Sequence, residues 1–182
     1  MQLVKLKLYN KLIYEECLVM SIEKVRKYME QFGRENDVME FDESSATVEL
    51  AAETVGIIPA RVAKTLSFRG KEEGEAIIVV AAGDTKIDNK KFRHEFSCKA
   101  RMLSADEAVE FTGHMVGGVC PFALENENVK VYLDESLKRF DTVFPAVGSG
   151  NSAIELTNDE LEKYSSNFVK WVDICKGWNE EN

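Results

Sequence analysis

Ala76-Ile-Ile-Val-Val-Ala-Ala82 is a run without a single polar side chain. It is too short for an ordinary helix and shows no alternation, so it reads as a strand buried on both faces. A strand of that kind constrains everything around it, because other strands must flank it and helices must cover its faces. Ahead of it, Arg69-Gly-Lys-Glu-Glu-Gly74 has the composition of a hairpin turn, which makes Val62 to Phe68 a partner strand. That partner carries Lys64 in an otherwise apolar setting, and Gly83-Asp84 closes the buried run.

The remaining elements follow from periodicity and caps. Ile22, Val25, Met29 and Phe32 recur at helical spacing, with Ser21 as N-cap and Gly33 as the stop. Val38 to Phe41 reads as a short strand and Asp42 to Ser45 as a polar turn. A helix from Thr47 to Val55 then shows an apolar face of Val48, Ala51, Ala52 and Val55, which predicts close packing on the sheet. Asp88 caps a helix to Phe96, and Ser104-Ala-Asp-Glu107 is a capping box ahead of helix 105–111. Strands are expected at Lys99–Leu103, Val129–Leu133, Thr142–Pro145 and Ala153–Leu156, with a short helix at Glu135–Phe140. Thr157 caps helix 158–164, and Phe168–Ile174 is a last strand or helix edge. The expected fold is α/β: a mixed, mostly antiparallel β-sheet, or a partly closed barrel, flanked by helices. Residues 1–19 are expected to be an appendage to one domain at 20–182. They lack the uninterrupted apolar stretch and cleavage site of a secretory signal.

Composition narrows the function. A net charge of -9 speaks against a general nucleic-acid binder. Residues 57–101, however, hold ten Lys/Arg against six Asp/Glu, an excess of four, so the remainder carries -13. The basic excess surrounds Lys64, as a track for phosphates or as a solvated face. Cys17, Cys98, Cys120 and Cys175 are far apart, with no C-x-x-C pair, which argues for a reducing cytoplasm and against a zinc site or disulfide scaffold. No apolar run approaches the roughly 20 residues of a membrane span.

Beside Lys64, two glycine loops are candidates: Gly117-Gly-Val-Cys-Pro121, and Gly148-Ser-Gly150. Such loops present backbone N–H groups to an oxyanion or phosphate, or simply turn the chain. Lys64, on these residues alone, reads first as a lysine reaching from a strand end into water. Neither loop is followed by the Gly-Lys-Ser/Thr of a P-loop. Cys120 and His114 share one loop and form a conceivable nucleophile and base, without a visible third member. Asp84 either orients a lysine or caps a turn.

Taken in order, Thr47-Val-Glu-Leu-Ala-Ala-Glu53, Val62-Ala-Lys-Thr-Leu-Ser-Phe68, Gly83-Asp84, Gly117-Gly-Val-Cys-Pro-Phe122, Gly148-Ser-Gly150 and Ile154-Glu-Leu156 resemble the YbaK/prolyl-tRNA-synthetase-associated domain family. The resemblance runs over roughly residues 21–175. It implies a compact α/β fold and hydrolysis, in trans, of the ester of a mischarged tRNA related to tRNA(Pro). Lys64 is the implied catalytic residue, at the terminal adenosine or its phosphate. Gly117, Gly118, Val119, Cys120 and Pro121 are implied to hold the aminoacyl group, with Thr65, Gly148, Ser149 and Gly150 completing the binding set. Ser45, Asp84 and His114 are further candidates. No metal or cofactor is implied. The resemblance implies the acceptor end of a mischarged tRNA as partner, and an aminoacyl-tRNA synthetase and a second copy of the chain are further expected partners. Cys120 departs from the small or serine-like residues common in that loop. A non-catalytic protein that keeps the pocket for a tRNA end or nucleotide is the alternative.

Overall fold

The computed structural model describes residues 21–41 and 47–178. The expected appendage at 1–19 and the candidate Ser45 lie outside those residues. Among the described residues helix α1 covers 21–30 and buries Ile22, Val25 and Met29, and the chain leaves it through Gly33 at φ +66°. Ser21 is already helical, and its hydroxyl serves His114 rather than a cap. Strand β1 is Met39–Glu40 and helix α2 is Val48–Val55. Thr47 Oγ1 accepts from Leu50 N at 3.3 Å, and Gly56 at φ 77° ends the helix.

β2 (Val62–Arg69) and β3 (Ala76–Ala82) form the expected hairpin, with all of β3 buried. Next come β4 (Lys86–Ile87), α3 (Asn89–Phe96) and α4 (Ala105–Thr112). Asp88 Oδ1 caps α3 by accepting from Lys90 N and Lys91 N, and the Ser104–Glu107 capping box is present. The chain continues through β5 (Val129–Asp134), β6 (Thr142–Pro145), β7 (Ser152–Ala153), β8 (Leu156–Thr157), α5 (Asn158–Tyr164), β9 (Phe168–Val172) and β10 (Cys175–Lys176).

Six strands form the main sheet in the order β8-β6-β2-β3-β5-β9. It is mixed, as expected, and helices flank it. Three of its five neighbouring pairs are parallel (β2–β6, β3–β5, β5–β9), so the main sheet is not mostly antiparallel. Antiparallel pairs predominate, four of seven, only when the small β1–β7 and β10–β4 ladders are included. The reason is the crossover through α3 and α4, which returns β5 beside β3 in the same direction. Along β3, Ile78, Val80 and Ala82 face one core with α1 and Phe122. Ile77, Val79 and Ala81 face a second core around Phe92 of α3 and Cys175.

Four local expectations change. Lys99–Leu103 contributes one bridge, Met102 to Phe68, instead of a strand. Ala153–Leu156 splits between β7, which pairs with β1, and β8, which pairs with β6. Glu135–Arg139 is a 3₁₀ helix. Phe168–Ile174 ends as a strand at Val172, after which β10 pairs with β4. No helix among the described residues is long and apolar enough to cross a membrane.

Candidate functional site

Lys64 lies on the same face of the hairpin as Leu66 and Phe68, yet its side chain turns back to the far end of β3. Its Nζ donates to the Gly83 carbonyl at 2.9 Å and to the Thr85 carbonyl. An ammonium has three N–H donors, so one remains free, along with the charge. Burial pushes this ammonium down from the ordinary lysine range, and the carboxylates of Asp84 and Glu49 oppose that trend. Burial also pushes the neighbouring Cys175 thiol up to about 12, which keeps it neutral.

Lys64 stands in the wall of a cavity of about 430 Å³. One wall is α2, through Val48, Ala51 and Val55. These are most of the apolar face that was expected to lie tight on the sheet; in α2 only Ala52 is fully buried. A second wall is the β2 segment Val62–Ser67, and a third is Val116, Gly117 and Val119. Phe144, Ala146, Gly150, Ser152 and Ala153 close the remaining side. The cavity exists because the outer edge of β2 is only partly covered. It pairs with β6 at Val62 and Ala63, and with the segment at 101–103 through Leu103 N to Ser67 O and Arg69 N to Arg101 O. Between those pairings no strand runs along the outer edge of β2 at Lys64–Leu66 among the described residues. Thr65 sits in that gap, and its Oγ1 is buried without a hydrogen-bond partner. In this largely apolar cavity an orphan hydroxyl can read an oxygen-rich ligand.

The glycine loops meet each other. A Cβ on Gly118 would stand 2.3 Å from the Gly148 carbonyl oxygen and 2.6 Å from Ser149 Cα. Gly148, at φ +92°, in turn abuts the Ser21 carbonyl of α1. Gly117 and Gly150 therefore reach the cavity, whereas Gly118 and Gly148 form the backbone contact that holds the two loops in register. Ser149 is buried and hydrogen-bonded to Asn151 and Ser152, so it braces the loop from behind.

Cys120 and His114 do come together, with Sγ 3.5 Å from Nε2, but both are 0% exposed and neither lines the cavity. The Phe122 carbonyl, 2.9 Å from Nε2, can only accept. Nε2 therefore carries the proton, and Nδ1 accepts from Ser21 Oγ at 2.9 Å. His114 ties α1 to the 117–121 loop. Pro121 is not among the lining residues of the cavity, and its carbonyl accepts from Ser166 N. Asp84 makes a two-pronged ion pair with Arg139 at 2.6 and 3.0 Å, so Lys64 is oriented by backbone carbonyls instead. Sequence reasoning missed Phe41, Met102, Phe144 and Ser152 in the cavity. These sit singly on separate segments, and no local spacing connects them.

A half-covered sheet edge with a carbonyl-anchored lysine is found here in a chain whose residues 42–164 match the model of the aminoacyl-tRNA editing domain. The chain belongs to that family. It is similar to a Bacillus subtilis protein called Uncharacterized protein YwhH, at 60% identity over 159 residues, 87% of this chain and 99% of that one. An Enterococcus faecalis protein, EbsC, named as a candidate Cys-tRNA(Pro)/Cys-tRNA(Cys) deacylase, is 26% identical over 66% of this chain and 73% of its own length. Among solved structures, a candidate trans-editing enzyme for prolyl tRNA synthetase superposes with a TM-score of 0.76 at 27% identity. That match covers 86% of this chain and 98% of the other.

Proposed function

We propose that this editing domain is an aminoacyl-tRNA deacylase that acts in trans on a mischarged tRNA, one related to tRNA(Pro). The supporting observation is the Lys64 ammonium, fixed at the cavity by the carbonyls of Gly83 and Thr85 with one N–H to spare. That donor and its charge meet the terminal nucleotide or its phosphate, while the aminoacyl group enters between α2 and the Val116–Val119 segment. Water adds to the ester carbonyl, the bond to the ribose oxygen breaks, and that oxygen leaves with a proton as the amino acid departs. The Gly117 N–H meets the developing oxyanion, the Gly118 N–H being held by the Met115 carbonyl, and Thr65 Oγ1 hydrogen-bonds the bound end. An aminoacyl ester is already reactive, so positioning and charge stabilisation suffice without a metal. Editing of this kind answers the weak discrimination a synthetase pocket has between small side chains, about 1–3 kcal/mol per methylene. The names of the similar proteins favour a prolyl-tRNA context.

The test is hydrolysis of a panel of tRNAs charged with non-cognate amino acids, with and without EDTA. The proposal expects release from at least one mischarged tRNA and no loss on chelation. Absence of turnover on every member of the panel overturns it, and EDTA-sensitive turnover overturns the metal-free mechanism.

A further inference from the structure

Lys86 and Lys176 are direct cross-strand partners in the β4–β10 ladder, and both are exposed. Directly opposed residues of an antiparallel pair share a face with Cβ atoms roughly 4.5–5.5 Å apart, and like charges placed so are destabilising. Neither ammonium has an ion-pair partner among the described residues. Asp88, the carboxylate that follows β4, accepts from the backbone N–H groups of Lys90 and Lys91 and attracts the Lys176 ammonium only from beyond ion-pair distance. The ladder is nonetheless firmly built. Buried Asp134 accepts from Ile174 N at 3.0 Å and Cys175 N at 3.2 Å, and Asp88 N donates to Ile174 O at 2.8 Å. A rigid support therefore holds two like charges together in a protein of net charge -9. Lys86 also directly follows Thr85, whose carbonyl anchors Lys64.

We infer that the Lys86–Lys176 pair is a phosphate clamp for the backbone of the RNA strand whose 3′ end enters the Lys64 cavity. Two ammonium groups on one face match an anion between them, and a bound phosphate turns their repulsion into attraction. A lone strand-end lysine would not do this. The inference rests on the tRNA reading of the cavity, and it assigns the strand its path, from Lys64 outward across β4.

The experiment compares wild type with Lys86→Gln, Lys176→Gln and the double variant. Lys130→Gln is the control, exposed at the opposite end of the sheet, where Lys130 pairs with Ile77. Dissociation constants for uncharged tRNA(Pro) are measured across a NaCl series, and melting temperatures at low salt with and without inorganic phosphate. Each clamp substitution is expected to weaken tRNA binding roughly 3–10-fold and to flatten the log–log salt slope by roughly 0.7–0.9. In the absence of RNA the same substitutions should raise the melting temperature by roughly 1–3 °C, since they remove a repulsion. Unchanged tRNA affinity and salt slope in the double variant overturn the inference. So does a pair that responds only to inorganic phosphate. If wild type hydrolyses charged tRNA while the double variant binds and turns over equally well, the clamp fails and the deacylase reading stands. If no charged tRNA is hydrolysed, yet clamp variants lose tRNA affinity, the reverse holds.

Discussion

Lys64 Nζ and the Gly83 carbonyl lie 2.9 Å apart, joining residues 19 positions distant in the chain across the β2–β3 hairpin. The second anchor is the Thr85 carbonyl, so the ammonium is held by backbone that the sheet itself fixes. A guanidinium is planar and forked, and does not fit the same pair of acceptors. Lys64→Arg should fold normally but deacylate on the order of 10-fold more slowly, measured as kcat/KM on the best substrate of the panel.

The contact of Gly118 with Gly148 is backbone on backbone, with no flexible side chain to yield. Gly118→Ala must push the 117–121 loop away from the 148–150 loop. Both loops line the cavity, through Gly117 and Gly150. Turnover should fall on the order of 10²-fold, with a melting temperature lower by several degrees. Wild-type turnover in a folded Gly118→Ala protein would remove this loop pair from the site.

His114 and Cys120 divide structure from chemistry. Loss of the two hydrogen bonds of a fully buried imidazole should cost about 2–4 kcal/mol, so His114→Ala should melt roughly 4–12 °C lower. Cys120→Ala should keep its turnover within about three-fold, because the sulfur faces His114 and not the cavity. Inactivation in Cys120→Ala, with a thioester trapped in the wild type, would restore the cysteine as nucleophile.

What the sequence disclosed was local. Thr47, Asp88, Ser104 and Thr157 announce their helices because a cap acts within three residues. β3 was legible because an unbroken apolar run has few alternatives. Hidden were the contacts made at a distance: the crossover that sets β5 parallel to β3, and the partial covering of β2 that opens the cavity. α2 illustrates the difference. Its apolar face was visible in Val48, Ala51 and Val55, but periodicity cannot say whether such a face meets a sheet or a ligand cavity. The β4–β10 ladder is two residues long on each side, below any periodic signal.

Asp84 and Arg139 give the fold a defined acid response. Arg139 hydrogen bonds hold the Asp84 carboxyl below the ordinary value of 3.8. A carboxylate depressed in the folded state stabilises it above the unfolded pKa, and that contribution vanishes as pH falls through the folded pKa. The pair is partly exposed and screened, so it is worth about 1 kcal/mol or less at pH 7. Asp84→Asn should therefore be slightly less stable than wild type at pH 7. The two melting curves should converge as pH is lowered past 3.8.

The claim that Lys64 organises a deacylation site is tested most directly by single-turnover release of the amino acid from mischarged tRNA, wild type against Lys64→Ala. The substitution removes the charge and the spare donor while leaving both cores intact. By comparison with loss of one preorganised electrostatic donor, the rate constant should fall on the order of 10²-fold or more. Circular dichroism should show the fold retained. An unchanged rate in folded Lys64→Ala would contradict the account.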